Sequence, residues 1–157
     1  MKRGSILITG VSGGLGKSVA QRFLANDYKV YGIGRQSKPP SDLGRLPNFT
    51  YSPVNVATYD EVEHFFRSKI AAPGLSMVVH CAGILTLKNS TQTNTADWNS
   101  TVGINLTGSF NIAKCSALHF KKNGRRGIVV FIGSRWGATG TDKAVAYAAS
   151  KSALRGL

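Results

Sequence analysis

Three features of this 157-residue chain predict an α/β fold in which helices cover both faces of a parallel sheet. Five short apolar runs lack polar alternation, the pattern of strands buried on both sides. Longer stretches with helical periodicity separate them, as crossovers between parallel strands require. A glycine-rich turn joins the first apolar run to the first helical stretch.

In chain order the strands are expected at SILIT (5–9), KVYGIG (29–34), FTYSPV (49–54), LSMVVHC (75–81) and GIVVFIG (127–133). Helices are expected over 15–26, 58–70 and 96–120, with a last one from about 142 onward. The helix at 58 opens with TYDE, where Thr58 and Glu61 have capping-box spacing. GRQSKPPSDLGRLPN (34–48) is rich in Gly, Pro and Ser and is expected as a surface loop. No repeat, low-complexity tract or linker interrupts this alternation, so 1–157 reads as one domain.

Composition narrows the class. Hydrophobic residues make up 42% of the chain and glycines number 18, which fits a globular protein rather than a disordered one. No apolar run approaches membrane-spanning length. The basic-then-apolar start MKRGSILITG is too short for a secretory signal and leads straight into the glycine turn. Cys81 and Cys115 form no disulfide framework and fit a reducing, cytoplasmic setting. His80 adjoins Cys81, but neighbours on a strand point to opposite faces, so no metal site is expected. The net charge of +13 comes from 20 Lys+Arg against 7 Asp+Glu, a shortage of acids rather than a basic tail. Local concentrations occur at Lys2-Arg3 and at KKNGRR (121–126). The second could attract a polyanion, but no nucleic-acid motif accompanies it, and no nucleic-acid partner is expected.

The glycine turn carries the first functional signal. In TGVSGGLGKS (9–18), Gly10 permits a tight turn, Gly14 lets the backbone approach a pyrophosphate, and Gly16 lets the helix sit close to the sheet. Ser12 and Leu15 belong to the same phosphate-facing loop. Amides at the helix start would face the phosphates, as in Rossmann-like dinucleotide sites. A P-loop does not fit, because position 11 is Val. The second strand ends YGIGRQSK, without the carboxylate that would bind ribose hydroxyls. Arg35 stands there instead, with Lys38 close by and Lys17 able to add charge. A guanidinium suits a 2′-phosphate, so NADP(H) is favoured over NAD(H), unless Arg35 is merely a solvated loop cation.

Tyr147 and Lys151 are four positions apart, which places phenol and ammonium on one helix face. A tyrosine hydroxyl ordinarily titrates near 10, and a neighbouring ammonium favours its ionised form. Such a pair can serve as acid and base near neutral pH.

Taken in order, Thr9-Gly10-x-x-x-Gly14-x-Gly16, HCAG (80–83), DWNSTVGINLTGSF (97–110), Ser134 and Tyr147-x-x-x-Lys151 resemble the short-chain dehydrogenase/reductase family. The likeness is to its compact branch and covers essentially the whole chain. It implies an NADP(H)-dependent oxidoreductase that interconverts a carbonyl and a secondary alcohol. Tyr147 is then the general acid and base, and Lys151 its electrostatic partner and a ligand of the nicotinamide ribose. Ser134 would hydrogen-bond the substrate oxygen. Asn105 would hold a water that links Lys151 to solvent. Ala82 and Gly83 would let the backbone approach the adenosine side, with Asn55 and Val56 beside the adenine.

Several positions depart from the family pattern. His80 and Cys81 replace a pair of asparagines, and Asn55 stands where aspartate is usual, its amide oxygen still able to accept from adenine. Trp136 could line a substrate pocket or simply pack in the core. GSRWG (133–137) does not match the serine-hydrolase Gly-x-Ser-x-Gly. Family members continue past the Tyr147–Lys151 helix. The resemblance therefore implies an incomplete sheet of about five strands, an unpaired fifth strand, and weak cofactor binding and turnover by this chain alone. It also implies homo-oligomers, tetramers or dimers, packed through the helices around Asn105 and Lys151. Two rival readings are a catalytically silent nucleotide-binding or redox-sensing module and a polyanion-binding protein using 121–126.

Overall fold

A computed structural model describes residues 4–70 and 74–157. Lys2 and Arg3 lie outside the described residues. Five strands form one parallel sheet in the order β3-β2-β1-β4-β5. They are β1 (Ser5–Thr9), β2 (Lys29–Gly34), β3 (Phe49–Pro53), β4 (Leu75–His80) and β5 (Ile128–Phe131). The helices are α1 (Gly14–Leu24), α2 (Tyr59–Ser68), α3 (Thr95–Val102), α4 (Gly108–Lys122), α5 (Trp136–Thr139) and α6 (Val145–Ala153). The reversal of strand order about β1 creates a crevice at the strand C-termini, between the β1 and β4 ends.

Alternation along β1 divides the core in two. Leu7 faces a cluster with Ile33, Val78, Phe65, Phe66 and Ile112 on the α2–α4 side. Ile6 and Ile8 face Val11, Ala20, Val30 and Val79 on the other side. Both faces of the central strands are thus covered, which explains their unbroken apolar runs. Among the described residues β5 pairs with β4 alone, and its Ile128 is 55% exposed.

Three expectations need correction. The helix expected over 96–120 is two helices joined by a π-helical turn, Gly103–Thr107. The Thr58 cap makes no side-chain hydrogen bond, because Glu61 instead accepts from the Asn55 amide at 2.8 Å. A true capping box forms at α3, where Asn94 Oδ1 accepts from Asp97 N–H and Asp97 from Asn94 N–H. The loop 34–48 is mostly exposed, yet Leu43 is fully buried and anchors it to the second core cluster.

Candidate functional site

The site starts where β1 ends. Gly10 adopts φ of +69°, a backbone conformation that favours glycine, and its N–H donates to Ile33 O at 2.8 Å. A Cβ on Gly10 would lie 2.8 Å from Ala82 N, so the two backbones are in contact across the crevice. A Cβ on Gly16 would lie 2.4 Å from Gly10 O, which seats the α1 start directly on the turn. Gly14 has nothing within 4 Å of its Cβ position and stands open.

A cleft of about 290 Å³ follows this turn. It is lined by the turn after β1 (Gly10, Ser12, Gly13), by the end of β2 with Arg35 and Gln36, by Val54 and Val56 after β3, and by Cys81 to Ile84 after β4. Of the residues expected from sequence, Gly10, Ser12, Arg35, Val56, Ala82 and Gly83 meet here. Gly14, Leu15 and Gly16 sit in the first turn of α1 beside the lining, with Leu15 largely exposed. Gly13, Val54 and Ile84 are lining residues that sequence reasoning passed over; each adjoins a position it had marked. Asn55 Oδ1 accepts from Ala57 N–H at 3.2 Å, a local turn between the lining residues Val54 and Val56.

The end of β2 carries glycine where a ribose-binding carboxylate could stand. A Cβ on Gly34 would lie 3.0 Å from Ser12 Oγ and 3.2 Å from Tyr51 Oη, and the Tyr51 hydroxyl donates to Gln36 O at 2.6 Å. Arg35 is exposed at the rim, beside these groups. Lys17 is paired with Asp42 at 2.8 Å, so its charge is compensated rather than offered to a ligand. The glycine cradle, the open backbone at Gly14 and the cation without a competing acid fit a phosphorylated dinucleotide.

Two hydrogen bonds tie the β1 and β4 ends together where His80 and Cys81 replace the usual asparagines. Ala82 N–H donates to Thr9 Oγ1 at 2.9 Å, and Thr9 Oγ1 lies 2.9 Å from His80 Nδ1. His80 is buried against Phe131, with ring centroids 5.9 Å apart. Burial, and next the Lys151 charge, lowers His80 to about 4, so the ring is neutral at pH 7. Its Nε2 has no partner among the described residues. Cys81 faces the cleft instead, and burial pushes its thiol up, with Lys151 opposing.

α6 carries Tyr147 and Lys151 on one face, with the ammonium 5.7 Å from the phenol ring centroid. Lys151 Nζ donates to Ile132 O at 2.7 Å, just past β5. A Cβ on Gly83 would be 3.7 Å from Lys151 Nζ, so α6 borders the cleft at Gly83. Burial pulls the Lys151 ammonium below its ordinary range, with Cys81 opposing. Ser134 accepts from Trp136 N–H at 3.2 Å, which leaves its own hydroxyl proton free to donate. The buried Asn105, in the π-helical turn, accepts from Ile84 N–H and donates to Ile84 O and Ser150 Oγ. Ser150 in turn donates to Tyr147 O at 2.8 Å, a link that the sequence reading missed. Among the described residues no group of His, Cys, Asp or Glu gathers to hold a metal ion. No helix among them is long and apolar enough to cross a membrane.

The model of the family described as short chain dehydrogenase matches residues 5–157. A short chain dehydrogenase from Penicillium brasilianum, ausX, is 30% identical over 154 residues, covering 96% of this chain and 59% of its own length. The 3-oxoacyl-(acyl-carrier-protein) reductase MabA of Mycobacterium tuberculosis is 29% identical, over 98% of this chain and 60% of its own. The solved structure of ElxO with NADP bound superposes with a TM-score of 0.88 at 29% identity, over 99% of this chain and 65% of that one. The chain thus spans about three fifths of the curated relatives it matches.

Proposed function

Since the chain belongs to the short-chain dehydrogenase family, we propose that it is the dinucleotide-binding domain of an NADP(H)-dependent oxidoreductase that interconverts a carbonyl and a secondary alcohol. The observation that carries this reading is the approach of Lys151, beside Tyr147, to the cleft at Gly83. Nucleotide cradle and acid–base pair then share one boundary.

Carbonyl reduction places a hydride on carbon and a proton on oxygen; a bound reduced nicotinamide supplies the hydride, which no side chain can. The remaining work falls to the protein. Ser134, held by Trp136 N–H as an acceptor, donates a hydrogen bond from its hydroxyl to the carbonyl oxygen and polarises it. Tyr147 delivers the proton that completes the hydroxyl, and takes it back in the oxidative direction. Lys151 stabilises the negative charge this leaves on the phenol. The Lys151 bond to Ile132 O fixes the ammonium on the side of α6 that faces Gly83. Asn105 locks α6 to the Ile84 loop, so the two halves of the site keep their spacing; a water on its backbone side would link Lys151 to solvent.

Selection of NADP(H) rests on Arg35 and on Gly34, which puts no carboxylate at the end of β2. The NADP in the ElxO structure is consistent with this. Exposed Phe110 and Leu118 on α4 support packing through this helix as dimers or tetramers. The test is NADPH oxidation against a carbonyl panel with Tyr147→Phe as control. Turnover should fall by about a hundred- to ten-thousandfold while NADPH binding stays within a few-fold. A Tyr147→Phe protein that turns over like wild type sinks the assignment.

A further inference from the structure

α5 is a single turn, yet it is held tightly. A Cβ on Gly137 would lie 2.8 Å from Lys151 C and 2.9 Å from Ser152 N, so α5 is pressed against the backbone of α6 just beyond the catalytic pair. Trp136, one residue earlier, has no freedom to back away. Its indole meets the Tyr147 ring edge to face, with centroids 6.2 Å apart and planes at 88°. Its backbone N–H is the donor that orients Ser134. One residue therefore touches both groups assigned to the carbonyl oxygen. The indole is only half-buried, and its N–H makes no hydrogen bond among the described residues.

We propose that Trp136 is a positioning and specificity residue for the carbonyl site, favouring substrates with a flat, apolar group directly attached to the reacting carbonyl. The inference rests on the oxidoreductase reading above. Ser134 and Tyr147 fix the oxygen, so the substituent on the carbonyl carbon is carried alongside Tyr147, where the neighbouring surface is the indole. A flat π surface stacks there; a puckered ring of equal size does not fit as closely. The edge contact also limits rotation of the Tyr147 ring, so the phenol keeps its aim without a hydrogen bond to hold it.

Trp98 and Trp136 are the chain's two tryptophans, and Trp98 lies exposed on α3, so Trp98→Phe leaves Trp136 as the sole emitter. Propiophenone and 1-cyclohexyl-1-propanone have the same connectivity but differ in flatness. Propiophenone should quench Trp136 emission saturably at about three- to tenfold lower concentration than its cyclohexyl analogue. In turnover, Trp136→Leu should raise KM for propiophenone alone by a similar factor and lower kcat for both ketones; Trp136→Phe should restore kcat. Equal quenching by the two ketones, or no quenching, overturns the proposal, as does a Trp136→Leu protein whose KM ratio between them is unchanged. Selective quenching with no turnover by the wild type supports the role of Trp136 and overturns the oxidoreductase reading instead.

Discussion

Asn105 grips Ile84 from both sides: its Oδ1 accepts from the Ile84 N–H at 2.8 Å and its Nδ2 donates to the Ile84 carbonyl at 2.9 Å. The same Nδ2 reaches Ser150 Oγ at 3.1 Å, so one buried amide joins the Ile84 loop, the π-helical turn and α6. Turns of this kind, wider than an α-helix, recur at functional sites.

Replacing Asn105 with Ala leaves the amide and carbonyl of Ile84 without partners in a partly buried setting. The expected loss is about 2–4 kcal/mol of stability. Denaturant unfolding measures it, and NADPH affinity should weaken in parallel because Gly83 and Ile84 line the cleft. Ser150→Ala breaks only one arm of the bracket and should cost about 1 kcal/mol.

The glycines of the loop separate folding from binding. Gly16→Ala drives a methyl against the backbone oxygen of Gly10, where no side chain can yield, and should destabilise by about 3 kcal/mol or more. Gly14→Ala meets open space, so its melting temperature should stay close to wild type while NADPH affinity falls. Thermal melts and cofactor titrations on the two variants check the contrast.

Arg35 sets a third expectation. Arg35→Ala should weaken NADPH by about ten- to a hundredfold, the worth of a charged hydrogen-bonding contact, and leave NADH within about twofold. An equal loss for both cofactors would mean that Arg35 does not read the 2′-phosphate.

The sheet was legible because its strands are buried on both faces, so Ile6, Leu7 and Ile8 form an apolar run that no surface strand would carry. Gly10 was legible because a tight turn after a strand demands glycine, whereas Ala82 and Gly83 came from the family resemblance alone. The break at Gly103–Thr107 was not, since one extra residue in a helical turn hardly disturbs the apolar period. α5 is too short to show any period at all. Leu43 was lost inside a polar loop, because a single anchor has no pattern. Glu61 accepted from Asn55 N–H instead of Thr58 N–H, a competition between two local donors that spacing cannot decide.

The substitution at His80 leads to a pH dependence. The neutral ring, wedged between Thr9 and Phe131, must unfold to take up its proton readily, because burial lowers it from 6.5 to about 4. Between those values the unfolded chain binds more protons than the folded one, so stability rises with pH across this window. The contribution is complete above about 6.5, shrinks as the pH falls and is exhausted below about 4, with a total of about 3 kcal/mol. His119, lowered by burial and then by Lys122, adds to the same slope, so the comparison needs a partner variant. His80→Asn keeps a hydrogen-bonding group beside Thr9 and removes the titration. Its unfolding midpoint in denaturant should therefore vary less between pH 4.5 and 6.5 than that of wild type. If the two slopes coincide, the His80 ring is not excluded from protons in the folded state, and the Thr9–His80 bond does not join the two strand ends in the way described.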